Sequence, residues 1–180
     1  RRSANLSIER HRLDDAGRDL ETARRLARAL GDERTEAIVL GTSSLVLHRA
    51  GRNVDAVADA LDALELMRRA GDAPRTAVTL SNLGVIEQEL GRHDDARRHL
   101  DEAATLAHRA GDRRLLGFVR GCQGRLEHEV GRPEVARALH RDAVRLLGEV
   151  GATRMVALFR GALAAAEAEL GDAHAAASHL

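Results

Sequence analysis

A chain of 180 residues with 44% hydrophobic content can bury a core, and 28 basic against 28 acidic residues leave it without net charge. Every basic residue is arginine, and Phe118 and Phe159 are the only aromatics. That excludes a phosphate-loop or Schiff-base lysine, and it argues against a nucleic-acid groove, which needs excess positive charge and stacking platforms.

Residues 1–10 read as the end of a helix, with His11-Arg12 as a turn and Leu13–Leu30 as the first complete helix. Glycine then recurs every 20 residues, at Gly31, Gly51, Gly71, Gly91, Gly111, Gly131, Gly151 and Gly171. Gly51, Gly91 and Gly131 are followed by Arg, and Gly31, Gly71, Gly111 and Gly171 by Asp, so the true unit is 40 residues. Helices are predicted at about 33–50, 53–70, 73–90, 93–110, 113–130, 133–150 and 153–170, and the segment 173–180 stops halfway through another. Ala, Leu, Arg and Glu favour helix, and apolar residues recur at three- and four-residue steps, as in Ala96, Leu100, Ala103, Ala104 and Ala107. Each glycine can supply the left-handed residue that ends a helix, with the Asp, Asn or His that follows available to start the next. Pro74 and Pro133 each stand just after a turn, where a helix can begin.

A helix of about 18 residues is roughly 27 Å long, and a two-residue connection returns the next one antiparallel. Repetition then stacks hairpin on hairpin. The prediction is a single all-α domain over 1–180, with four complete 40-residue repeats and a partial one at each end. Both ends cut a repeat and the chain opens on Arg1, which predicts a fragment of a larger protein. Alanine falls at Ala16, Ala56, Ala96, Ala136 and Ala176, and again at Ala23, Ala63, Ala103 and Ala143. These small rows let neighbouring helices approach closely. The single Cys122 forms no intrachain disulfide and suits a reducing cytoplasm. No apolar run approaches the roughly 20 residues of a membrane span.

The segment Asn82-Leu83-Gly84, then Leu90-Gly91-Arg92, Ala96, Leu100 and Ala103, resembles the signature of a tetratricopeptide repeat. The usual unit is about 34 residues, so this is a long form, and Glu87, Glu127 and Glu167 stand where the first helix commonly has an aromatic. The long form resembles arrays in large bacterial regulators such as signal-transducing ATPases. The resemblance implies a right-handed α–α superhelix that binds a protein or peptide on the concave face lined by first helices. By that registry the candidate binding residues are Ile38, Thr42, Leu45 and His48, then Val78, Asn82, Val85 and Gln88. Phe118, Cys122, Arg125 and His128 follow, then Leu158 and Ala162. Ile38, Val78, Phe118 and Leu158 form an apolar row; Gly41, Ser81, Gly121 and Gly161 form a row without bulk. Either the rows make a groove for an amphipathic or extended segment, or the apolar row is inter-repeat core and the glycines ease helix packing.

Asn82 matches the family's carboxylate-holding asparagine, but without lysines nearby the capture of a C-terminal carboxylate is not expected. His48 and His128 lie two repeats apart and His93 and His99 straddle a helix, so no metal or other cofactor is expected. The run Asp94-Asp95 with Arg97-Arg98 reads as a solvated face of local ion pairs. No acid, base and nucleophile converge, so the chain reads as a non-enzymatic interaction module that binds neither nucleic acid nor membrane. Self-assembly through uncapped repeat ends and small-molecule sensing are the alternatives.

Overall fold

The computed structural model describes the backbone of residues 2–177 and the side chains of 12–172 and 174–177. Among the described residues the regular structure is entirely helical: α1 Arg2–Leu30, α2 Glu33–Arg49, α3 Asn53–Arg69, α4 Ala73–Glu89, α5 His93–Arg109, α6 Arg113–Glu129, α7 Pro133–Glu149, α8 Thr153–Glu169 and α9 Ala173–Ala177. Residues 178–180, the end of the last expected helix, lie outside the described residues. The chain divides into two compact units, Arg1–Gly91 and Arg92–Leu180. In the first, α1, α2, α3 and α4 pack in succession and α2 also touches α4. In the second, α5 to α9 pack in succession and α6 also touches α8. Contact between first helices two elements apart is what stacked hairpins require.

The 20-residue step has a local cause. Each helix from α2 to α8 has 17 residues, and three connecting residues follow. At 50–52, Gly51 takes φ 76° and its N–H donates to His48 O, while Arg52 N–H donates to Leu47 O at 2.9 Å. This is a Schellman closure, and the residue that completes it is already the cap of the next helix. Asp32, Asp72 and Asp112 each accept from the backbone N–H three residues on, which satisfies an orphan donor. Asp32 is held below the usual carboxylate range by the Thr35 hydroxyl and amide.

Three expectations change here. There is no turn at His11-Arg12, and α1 runs straight through it. That position lacks the glycine, and no non-glycine residue adopts positive φ among the described residues. Asn53 and His93 are not caps either. They are first helical residues, behind Arg52 and Arg92, which make no side-chain cap bond. And the acidic–basic run in α5 is not only local. Arg97 pairs with Asp94 at 3.4 Å, but it also reaches Glu127 of α6 at 3.0 Å.

The alanine rows sit where helices meet: Ala56 and Ala63 in the first unit, Ala96, Ala103, Ala136 and Ala143 in the second, all fully buried. Ala136→Leu is expected to cost about 1–3 kcal/mol by overpacking, read from the urea midpoint. A midpoint within error of the parent protein's would mean the row is loosely packed.

Candidate partner-binding groove

In the first unit residues of α2 and α4 line a groove of about 490 Å³. Ile38, Gly41, Thr42 and Leu45 form one wall, and Val78, Thr79 and Asn82 the other. Met67 of α3 closes the floor, and Asp72, Pro74 and Arg75 form one end. The helical period puts 38, 42 and 45 on one stripe and 78 and 82 on the facing one. Ile38 and Val78 are 38% and 47% exposed, so this part of the apolar row faces solvent.

Polar groups on the wall are mostly spoken for. Thr42 Oγ1 donates to Ile38 O at 2.9 Å, and Thr79 Oγ1 to Met67 Sδ at 3.3 Å. Arg75 Nη1 donates to Asp72 Oδ2 at 2.5 Å. That contact, with the Arg75 amide, holds the Asp72 carboxyl below the usual range. The two charges cancel, so the groove presents a neutral, largely apolar surface.

The equivalent space in the second unit is filled. Forty residues separate equivalent positions, so Thr79 corresponds to Phe159 and Gly41 to Gly121. A Cβ at Gly41 would meet Met67 Cε at 3.6 Å, an ordinary contact. A Cβ at Gly121 would come within 2.2 Å of the Phe159 ring. The Phe159 ring lies edge-on to Phe118, centroids 6.3 Å apart, and stacks on His140 at 6.1 Å. His140 in turn lies where a Cβ on Gly124 would come within 2.7 Å. Burial, with His128 and Arg125 adding like charge, pulls the His140 imidazole down to about 4.

The row without bulk therefore splits. Gly41 opens on the groove, Gly121 makes room for Phe159, and Ser81 is buried with its hydroxyl donating to Val78 O at 2.8 Å. Nothing lies near a Cβ built on Gly161. Of the residues expected on the binding face, Ile38, Thr42, Leu45, Val78 and Asn82 line one groove. Val85 is half-buried, and Gln88 is buried. In the second unit Phe118 is half-buried against the Phe159 cluster, Arg125 and Leu158 are exposed, and Ala162 is half-buried. Cys122 is 1% exposed, and burial pushes its thiol up to about 11, so it offers a partner neither surface nor thiolate.

His48 and His128 each lie near the carboxylate at the end of the next first helix, by different ring nitrogens. His48 Nδ1 is 3.7 Å from Glu89 and 3.0 Å from Asn53 Oδ1, and Asn53 Nδ2 donates to Glu89 at 3.2 Å. His128 Nε2 is 3.0 Å from Glu169. Each histidine thus stands half-buried beside the carboxylate that ends the next first helix. Sequence reasoning missed Met67, Asp72, Arg75 and Thr79 because the concave registry counts only one stripe of the first helices.

A second depression, of about 810 Å³, lies between α1 and α3 above the end of α2. Gly17 and Leu47 stand there at positions held in the second unit by Arg97 and Glu127. Part of its charged wall is internally paired, with Arg24 3.6 Å from Asp59 and Arg52 2.7 Å from Asp55. Among the described residues no three His, Cys, Asp or Glu side chains gather as a metal site needs, and no helix is long and apolar enough to cross a membrane.

No curated protein sequence matches the chain significantly. Solved structures do resemble it. BtubC (BKLC) from P. vanneervenii is 17% identical, with a TM-score of 0.74 over 96% of this chain and 88% of that one. The apo form of RapI is 15% identical, TM-score 0.83, over 94% of this chain and 47% of that one. A signal transduction ATPase with numerous domains and a tetratricopeptide repeat sensor, from Pyrococcus horikoshii, is 17% identical, TM-score 0.84, over 97% of this chain but 28% of its own length. At these identities the likeness is one of fold. The tetratricopeptide repeat profile matches residues 35–107 and 75–149, across both units. With hairpins closed by glycine at a fixed step and first helices in mutual contact, the chain belongs to the tetratricopeptide repeat family, an all-α solenoid of protein-interaction scaffolds.

Proposed function

We propose that this chain is the sensor or scaffold arm of a larger regulatory protein and that it holds a segment of a partner protein in the groove between α2 and α4. The observation that carries this reading is the groove itself: exposed Ile38, Leu45 and Val78 surround Gly41, and the only charges on its wall neutralise each other. Apolar side chains exposed on facing stripes lose water when a partner covers them, and each fully buried one contributes about 1.5–3 kcal/mol. The regulatory setting rests on the family and on the fold shared with the sensor repeats of the Pyrococcus ATPase.

The test is selection of peptides from a random display library on the immobilised chain, followed by titration against Val78→Glu. Val78 is exposed, so its replacement leaves the fold intact while placing a charge on the groove wall. Affinity is expected to fall by about tenfold or more, equivalent to about 1.4 kcal/mol. Peptides that bind the variant undiminished would locate the interaction surface elsewhere.

A further inference from the structure

We infer that the groove of the first unit selects a partner segment carrying a phenylalanine-sized apolar side chain, seated over Thr79 where the Met67 side chain moves aside for it. The inference rests on the proposed groove function and names what the groove takes. The protein supplies its own template. In the second unit Phe159, at the position equivalent to Thr79, puts a phenyl ring against Gly121, with Phe118 at its edge. In the first unit the matching glycine is Gly41 and the matching flank is Ile38, but Thr79 provides no ring.

The floor differs in the same direction. Leu147 of the second unit corresponds to Met67, whose terminal methyl approaches the Gly41 side of the groove. An unbranched thioether can swing aside for an aromatic edge and makes a favourable sulfur–ring contact. Charge complementarity points the same way. Asp72 and Arg75 neutralise each other at the groove's end, so the matching side chain is uncharged. Phe→Thr at this one register thus turns a self-filled site into a receptive one.

The experiment uses the two methionines, Met67 and Met155, as methyl NMR reporters in the full chain. Met155 packs beside the Phe159 cluster and serves as the internal control. The probe is N-acetyl-phenylalanine amide, compared with the alanine and glutamate analogues. The expected result is a saturable ring-current shift of the Met67 methyl, several-fold larger than with either analogue, while Met155 stays in place. In Thr79→Phe the unliganded Met67 signal should already lie near its probe-bound position, and added probe should move it no further. Gly41→Leu, which closes the groove from the opposite wall, provides a second variant should Thr79→Phe fail to fold, and it too should abolish the response.

A Met67 signal that ignores the phenylalanine probe, responds equally to the glutamate one, or still shifts in the closed variants would overturn the inference. The display-selected peptides separate the two levels. Peptides lost with Val78→Glu but retained by Thr79→Phe would leave the groove reading standing and remove this one; peptides indifferent to Val78→Glu would remove the groove reading itself.

Discussion

Phe159→Ala is expected to lower the stability of the second unit by about 3–5 kcal/mol, toward the upper end of the range for burying nothing where a ring had been. The ring is 1% exposed and sits in a cluster with Ala143, Leu147 and Ala152, flanked by Phe118, Met155 and Val156. The size of the loss depends on how far the walls can collapse. Here one wall is Gly121, which has no side chain to move in. The void therefore persists. Leu158→Ala, one residue earlier and 61% exposed, is expected to stay within about 0.5 kcal/mol. A convenient reporter is Cys122, the only cysteine, buried in α6 of the same unit. Its labelling by a thiol reagent under native conditions reads the population of open states. Phe159→Ala should speed that labelling by orders of magnitude and Leu158→Ala should leave it nearly unchanged. Equal rates in the two variants would mean the ring is not the keystone of the second unit.

The second large effect is a pH dependence with a defined direction. A histidine in the unfolded chain takes a proton near pH 6.5. His140 in the folded chain takes one only at about 4, because it is buried against Gly124 and Phe159 and faces the positive side chains of α6. Above pH 6.5 both states are neutral and stability is full. Between about 6.5 and 4 the unfolded chain binds a proton that the folded chain refuses, so stability falls as pH falls, by up to about tenfold in the folding constant per unit. Across the whole window the loss approaches about 3 kcal/mol, and below it the term is constant. The equivalent position in α5 is Leu100, fully buried. His140→Leu should therefore fold and should flatten the urea midpoint between pH 6.5 and 5 relative to the parent chain. Parallel profiles for the two proteins would show that His140 is not the titrating group.

How much of this was legible in the sequence varies from residue to residue. The glycine step was fully legible because it has a single physical cause: a left-handed residue at a fixed place in each turn, with a carboxylate cap after Gly31, Gly71, Gly111 and Gly171. The straight passage of α1 through His11-Arg12 follows from the same rule, since a turn needs the glycine that this position lacks. The floor and end of the groove were not legible. Met67 and Asp72 lie in or just after a second helix, and a registry that follows the first helices passes over them. Nor was the fate of Gly121. A glycine on an apolar stripe is equally compatible with an open site and with a neighbour's ring, and the choice depends on a residue 38 positions away. The repeat alignment does contain that information, since Phe159 falls in line with Val39, Thr79 and Val119. What it lacks is the depth at which each of these meets the opposite helix.

The division between a receptive first unit and a filled second one is tested most directly by a backbone amide shift map of the isotope-labelled chain titrated with a display-selected peptide. The largest changes are expected at Ile38, Gly41, Thr42, Val78, Thr79 and Asn82, with α6 and α8 unaffected. Changes centred on Phe118 to His128, or on the outward faces of α3 and α7, would contradict it.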